Sequence, residues 1–104
     1  MIYLSGKISD KTPEKEALNL MRFNRKATEL RMLGLDIFNP IDHELSNQSW
    51  EFLLARDMDI IFSEEITGLY LMKGWKESKG ALLERQACLR KQLKNPDFLI
   101  VEEQ

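Results

Sequence analysis

Apolar and polar positions along the chain switch between runs of two-residue period and stretches with three- and four-residue spacing. Those switches predict the elements. Ile2, Tyr3 and Leu4 form an uninterrupted apolar run, which predicts a first strand buried on both faces, as in a parallel sheet. The strand runs into the small polar turn Ser5-Gly6-Lys7. Glycine at that point takes backbone angles other residues avoid and lets a ligand come close. Thr12 is placed to cap a helix whose first position is Pro13 and whose first turn holds Glu14. Ala17, Leu20, Phe23, Ala27, Leu30 and Leu33 then fall three and four apart, marking one helical face, and Gly34 is a stop.

Leu35–Phe38 predicts a short second strand ended by Asn39-Pro40, because proline drives the residue before it out of helix. Residues 41–48 read as a loop. Ser49 caps a second helix with Trp50, Leu53, Leu54, Met58 and Ile61 turned inward. Ile66–Met72 predicts a third strand, and residues 74–77 a turn. Ser78 caps a third helix that runs to about Leu93, Asn95-Pro96 breaks it, and Phe98–Val101 is a last strand.

The resulting β-α-β-α-β-α-β order predicts one α/β domain over residues 1–104. Its core is a small parallel sheet of four to five strands with helices on both faces, a three-layer arrangement of the Rossmann-like or flavodoxin-like kind. In such a sheet the loops after the strands share one rim, where ligands bind. Here that rim gathers Ser5–Ser9, Asn39–His43 and Lys73–Ser78. A small sheet also leaves strand edges open, which predicts a homodimer or higher homo-oligomer.

Composition narrows the picture. The 43% hydrophobic and 31% charged content is that of an ordinary soluble globular domain. A formal charge of -2 makes no electrostatic case for a nucleic-acid polymer as partner. Cys88 is the single cysteine, so no internal disulfide forms, and a reduced cytoplasmic setting is expected. No apolar run approaches membrane-spanning length and no signal-like region opens the chain, so no membrane partner is expected.

Candidate chemistry concentrates on the rim. Glu84 lies one turn into the third helix among Ala81, Leu82, Leu83 and Ala87, which suits either a partly buried functional carboxylate or a solvated one paired with Arg85. Asp57 and Asp59 are two apart on the second helix, so at most one reaches the rim. Ser78, Lys79 and Gly80 either present backbone N–H groups to an anion or form a plain helix cap. Lys7 is positioned to meet a phosphate or to remain an ordinary surface lysine. Trp75 packs, or stacks on a base from its rim loop. Ser5 and Asn39, at two strand ends, are further substrate contacts. His43 has no Cys/His cluster around it, and neither a dinucleotide fingerprint nor a P-loop is present. No metal or cofactor is expected.

Two segments carry a resemblance to a known group. Tyr3-Leu-Ser-Gly-Lys-Ile8 resembles the opening strand and turn of the nucleoside 2-deoxyribosyltransferase-like superfamily, which includes deoxynucleoside-monophosphate N-glycosidases. Gly74-Trp-Lys-Glu-Ser-Lys-Gly-Ala-Leu-Leu-Glu84 resembles its serine-to-glutamate segment, and the chain as a whole is most similar to the DUF4406 branch. The resemblance implies Glu84 as nucleophile and Tyr3 as the hydroxyl that orients it. It implies Asp57 as the group assisting departure of the base. It also implies Gly6, Lys7 and Ser78 as contacts to the sugar or a 5′-phosphate. Lys7 stands where the glycosidases carry a small polar residue, and the Gly- and Arg-rich turn that follows there is absent.

Three functions fit these residues. The first is an N-glycosidase or deoxyribosyltransferase acting on a nucleoside or nucleoside monophosphate through a covalent glycosyl-enzyme. The second is a non-catalytic protein that binds or sequesters a nucleotide in the same pocket. The third is an interaction protein using its sheet edge or a helix face.

Overall fold

The computed structural model describes residues 1–43 and 48–104. Four strands, β1 (Ile2–Ser5), β2 (Ile37–Phe38), β3 (Gly68–Leu71) and β4 (Leu99–Glu102), form one parallel sheet in the order β2-β1-β3-β4. Three helices link them: α1 (Pro13–Met32), α2 (Trp50–Ile61) and α3 (Lys79–Lys94). The expected α/β class, parallel sheet and helices on both faces are all observed, with four strands rather than five among the described residues.

Strand alternation sorts the core into two halves. Leu4 packs with Phe23, Ala27 and Leu30 of α1 on one face. Tyr3, Leu69 and Leu71 pack with Ile61 of α2 and with Ala81, Ala87 and Cys88 of α3 on the other. Because β1 is central, Tyr3 and Leu4 are both fully buried. Tyr3 and Ser5, two residues apart, share the α2–α3 face.

Helix caps form where the sequence places them. The side chains of Thr12, Ser49 and Ser78 accept from Lys15, Phe52 and Ala81 backbone N–H groups. Gly34, at φ +89°, ends α1 with the bond pair of a Schellman motif: Gly34 N–H to Arg31 O and Leu35 N–H to Leu30 O. That motif corrects the second strand. Leu35 is spent on terminating α1, so β2 holds two residues instead of four. The expected inward positions Ala17 and Leu33 are also exposed, Leu33 by 76%, and Asn19 is buried instead. Asn19 Nδ2 donates to Ile8 O and to an Asp10 carboxylate oxygen, which fixes the turn after β1 to α1. β3 is trimmed to Gly68–Leu71 and β4 lies one residue later than expected. A 3-10 turn covers Pro40–His43, and the rest of the expected loop up to residue 47 lies outside the described residues.

Among the described residues, no helix is long and apolar enough to cross a membrane.

Candidate active site

A cleft of about 230 Å³ opens at the C-terminal rim of the sheet, bounded by the N-terminal ends of α2 and α3. Glu84 forms part of its wall. The face of α3 carrying Ala81, Glu84, Cys88 and Lys91 turns toward the sheet, so Glu84 is only 7% exposed. The bland alternative of a solvated Glu84 is thereby set aside. Both its oxygens are held: Tyr3 OH donates to Oε2 and Ser5 Oγ donates to Oε1, each at 2.7 Å. The central strand thus presents two hydroxyls to one carboxyl group, at the spacing of two that puts them on one face.

Burial pushes the Glu84 carboxyl up to about 8, because the charged form loses its water. The Ser5 and Tyr3 hydrogen bonds pull the other way, and the charge of Asp57 together with a hydrogen bond to it adds to the rise. Tyr3 is itself raised well above the usual phenol value, chiefly by burial and next by the charge of Glu84. It therefore stays a donor. Asp57 lines the cleft from α2, whereas Asp59 is exposed on the opposite side of that helix. Arg56 grips Asp57 Oδ1 with Nε at 3.3 Å and Nη2 at 3.0 Å, and its Nη1 donates to His43 O. The positioning of Asp57 therefore depends on the segment after β2. Tyr3, Phe38 and His43 form a continuous ring stack behind it, with centroids 5.5 and 5.0 Å apart.

The remaining candidates divide. Gly6, Ser78 and Gly80 line the cleft. Gly6 is there for a reason other than the one expected. Its φ is not positive, and a Cβ would lie 3.1 Å from Met72 Cβ and 3.4 Å from Phe23 Cζ. Close packing of β1's end on these neighbours leaves a side chain little room unless Met72 and Phe23 shift. Lys7 is engaged by Glu77 at 3.2 Å and Asp10 at 3.7 Å, beside the mouth and not among the lining residues. Asn39 is buried and held at both ends of its amide: Nδ2 donates to Asn24 Oδ1, and Oδ1 accepts from Ile41 N–H. It shapes the turn and is not part of the lining. Trp75 lies in the core with the guanidinium of Arg85 5.3 Å from its ring centroid. The tryptophan at the cleft is Trp50, placed inward by the pattern but 42% exposed, with Lys79 Nζ 5.1 Å from its ring centroid. Trp50 and Arg56 are among the lining residues that sequence reasoning missed, with Leu53 and Leu54 beside them on α2. The signal available was Trp50's place at the first position of α2, where a helix end meets the rim. Among the described residues, no cluster of three or more His, Cys, Asp or Glu could hold a metal ion.

The architecture is thus a parallel α/β sheet with a buried, two-hydroxyl-held carboxyl group in a cleft at its C-terminal rim. The model of a family described as a domain of unknown function (DUF4406) matches residues 1–95, and the chain belongs to that family. Neither the curated proteins nor the solved structures contain a match to the chain.

Proposed function

We propose that the chain is an N-glycosidase or deoxyribosyltransferase that acts on a nucleoside or nucleoside monophosphate, in the manner of the nucleoside 2-deoxyribosyltransferase-like superfamily it resembles. One observation carries the reading: Tyr3 and Ser5 hold both oxygens of the buried Glu84 carboxyl in a cleft that Asp57 shares. A carboxylate fixed in this way suits attack on the anomeric carbon.

The steps balance with the groups present. Near neutral pH the resting site carries a proton on Glu84, with Asp57 hydrogen-bonded nearby. Substrate binding moves that proton to Asp57, and the Glu84 oxygen attacks C1′ as the C1′–N bond breaks. The base leaves with the proton from Asp57. Water, or the nitrogen of a second base, then displaces Glu84 from C1′ and returns a proton to Asp57, with overall retention. Trp50, half-exposed at the mouth, offers a face for the base. Ser78 and Gly80 lie where the sugar or its phosphate would reach the start of α3. No cofactor is needed for these steps.

A panel of nucleosides and nucleoside monophosphates, assayed for free base, tests the reading. Release is expected from at least one compound and is abolished in Glu84→Gln.

One observation favours non-catalytic nucleotide binding instead. A carboxyl raised to about 8 is neutral at pH 7 and is then a donor rather than a nucleophile. That reading predicts a nucleotide-dependent rise in melting temperature, with no base released at any pH from 6 to about 9.

A further inference from the structure

The outer surface of the α2–α3 layer has a pattern that the cleft does not use. Along α2, Phe52, Ala55, Asp59 and Phe62, which follows the helix, fall on one exposed stripe, the two phenylalanines 48% and 54% exposed. Along α3, Leu82, Gln86, Leu89 and Leu93 do the same, Leu93 being 85% exposed. The α3 spacing of four, three and four is that of a helix-packing seam. It lies opposite the face of Ala81, Glu84, Cys88 and Lys91 that packs on the sheet. Large apolar side chains at this spacing are costly to leave in water.

Charge divides between the two helices. The exposed charges of α2 are acidic, Glu51 and Asp59. Those of α3 are basic, Lys79, Arg90 and Lys94, and its one acidic residue is the buried Glu84. The helices also run side by side in fixed register. Lys79 sits on Trp50 at one end, and Lys91 Nζ donates to Ile61 O at the other. A residue of α2 therefore lies level with the α3 residue about thirty positions later. Phe52 is level with Leu82, Asp59 with Leu89 and Arg90, and Phe62 with Leu93.

We infer that this face binds a second copy of the same chain, α2 of each protomer lying along α3 of its partner about a two-fold axis parallel to the helices. That axis keeps the helices parallel, so stripe meets stripe in register and Asp59 meets the partner's Arg90. A two-fold axis across the helices would instead set α3 on α3 and oppose like charges, so the charge pattern selects the first arrangement. Both clefts then open at the same end of the dimer. The inference does not depend on the catalytic reading.

Sedimentation velocity from about 1 to 100 μM tests it, with the full chain at low salt. A dimer is expected. Asp59→Arg and Arg90→Asp should each raise the dimer dissociation constant on the order of tenfold. The double variant Asp59→Arg/Arg90→Asp should recover wild-type dimerisation, with thermal melting confirming that each variant folds. Leu89→Glu should give a folded monomer. A wild-type chain monomeric throughout overturns the proposal. So does a dimer indifferent to these changes, or a double variant that fails to recover.

Discussion

Glu84 occupies a place where an ionised carboxylate is poorly solvated, and the fold accommodates it by raising its proton affinity. The consequence for stability has a definite sign. The native carboxyl is pushed up to about 8, whereas the unfolded one keeps the ordinary glutamate value of 4.5. Between those values the native state holds one proton more than the unfolded state, so stability falls as pH rises through that window. Below and above it this group adds no slope. The urea midpoint of the wild-type chain should therefore drop between pH 5 and about 8, and Glu84→Gln should flatten that drop. Parallel curves for the two proteins would contradict the assignment. Catalysis carries the same sign: the proton held on Glu84 is the one Asp57 delivers to the leaving base, so kcat/KM should be level near neutral pH and fall as pH rises through about 8. Tyr3 and Ser5 donate to the carboxyl and favour its charged form. Tyr3→Phe should lower kcat/KM by on the order of 10²-fold and shift its pH midpoint upward. A loss of activity without that shift would mean a packing role only.

How far the site was legible also shows at this scale. The Tyr3 to Glu84 link rested on the resemblance, and the 2.7 Å bond supplies its geometry. Ser5, expected to touch substrate, is turned to Glu84 instead, a role implicit in its two-residue spacing from Tyr3. Asn39 and Trp75 were unreadable because their partners, Asn24 and Arg85, are brought to them only by tertiary packing.

Among the elements, α3 does most to join the site to the fold. Its N-terminus walls the cleft, its second turn carries Glu84, and its fourth carries Lys91. Lys91 Nζ donates to Ile61 O, Ser63 O and Ile66 O at 2.8, 2.7 and 2.5 Å, capturing the end of α2 and the approach to β3. Burial lowers its proton affinity. Lys91→Met would leave these carbonyls without their donor and should destabilise the chain by about 3 kcal/mol, read from chemical unfolding. A loss below about 0.5 kcal/mol would contradict this, since that is the scale of an unremarkable surface substitution. The helices were legible because capping serines and threonines and the three-to-four spacing are local signals. The strands were less so. β2 lost Leu35 to the Schellman motif ending α1, a competition between two local structures for one residue.

At the scale of the whole molecule, the layered α/β order could be read from the alternation of elements, because right-handed crossovers leave little freedom in a short parallel sheet. Self-association was expected from open strand edges. The exposed stripes of α2 and α3 offer a different surface, and the second copy proposed for it is selected by charge. Raising salt from about 0.05 to 0.5 M should therefore weaken the dimer, whereas association driven by apolar contact alone would hold or strengthen.

The central claim is that Glu84 takes the anomeric carbon. Intact mass spectrometry tests it most directly, with the chain quenched during turnover of a nucleoside or nucleotide substrate, or after reaction with a 2-fluoro-sugar analogue that slows release. A protein species heavier by one glycosyl group, mapped to the peptide containing Glu84 and absent from Glu84→Gln, is the predicted result. Base release without any such adduct, persisting in Glu84→Gln, would contradict it.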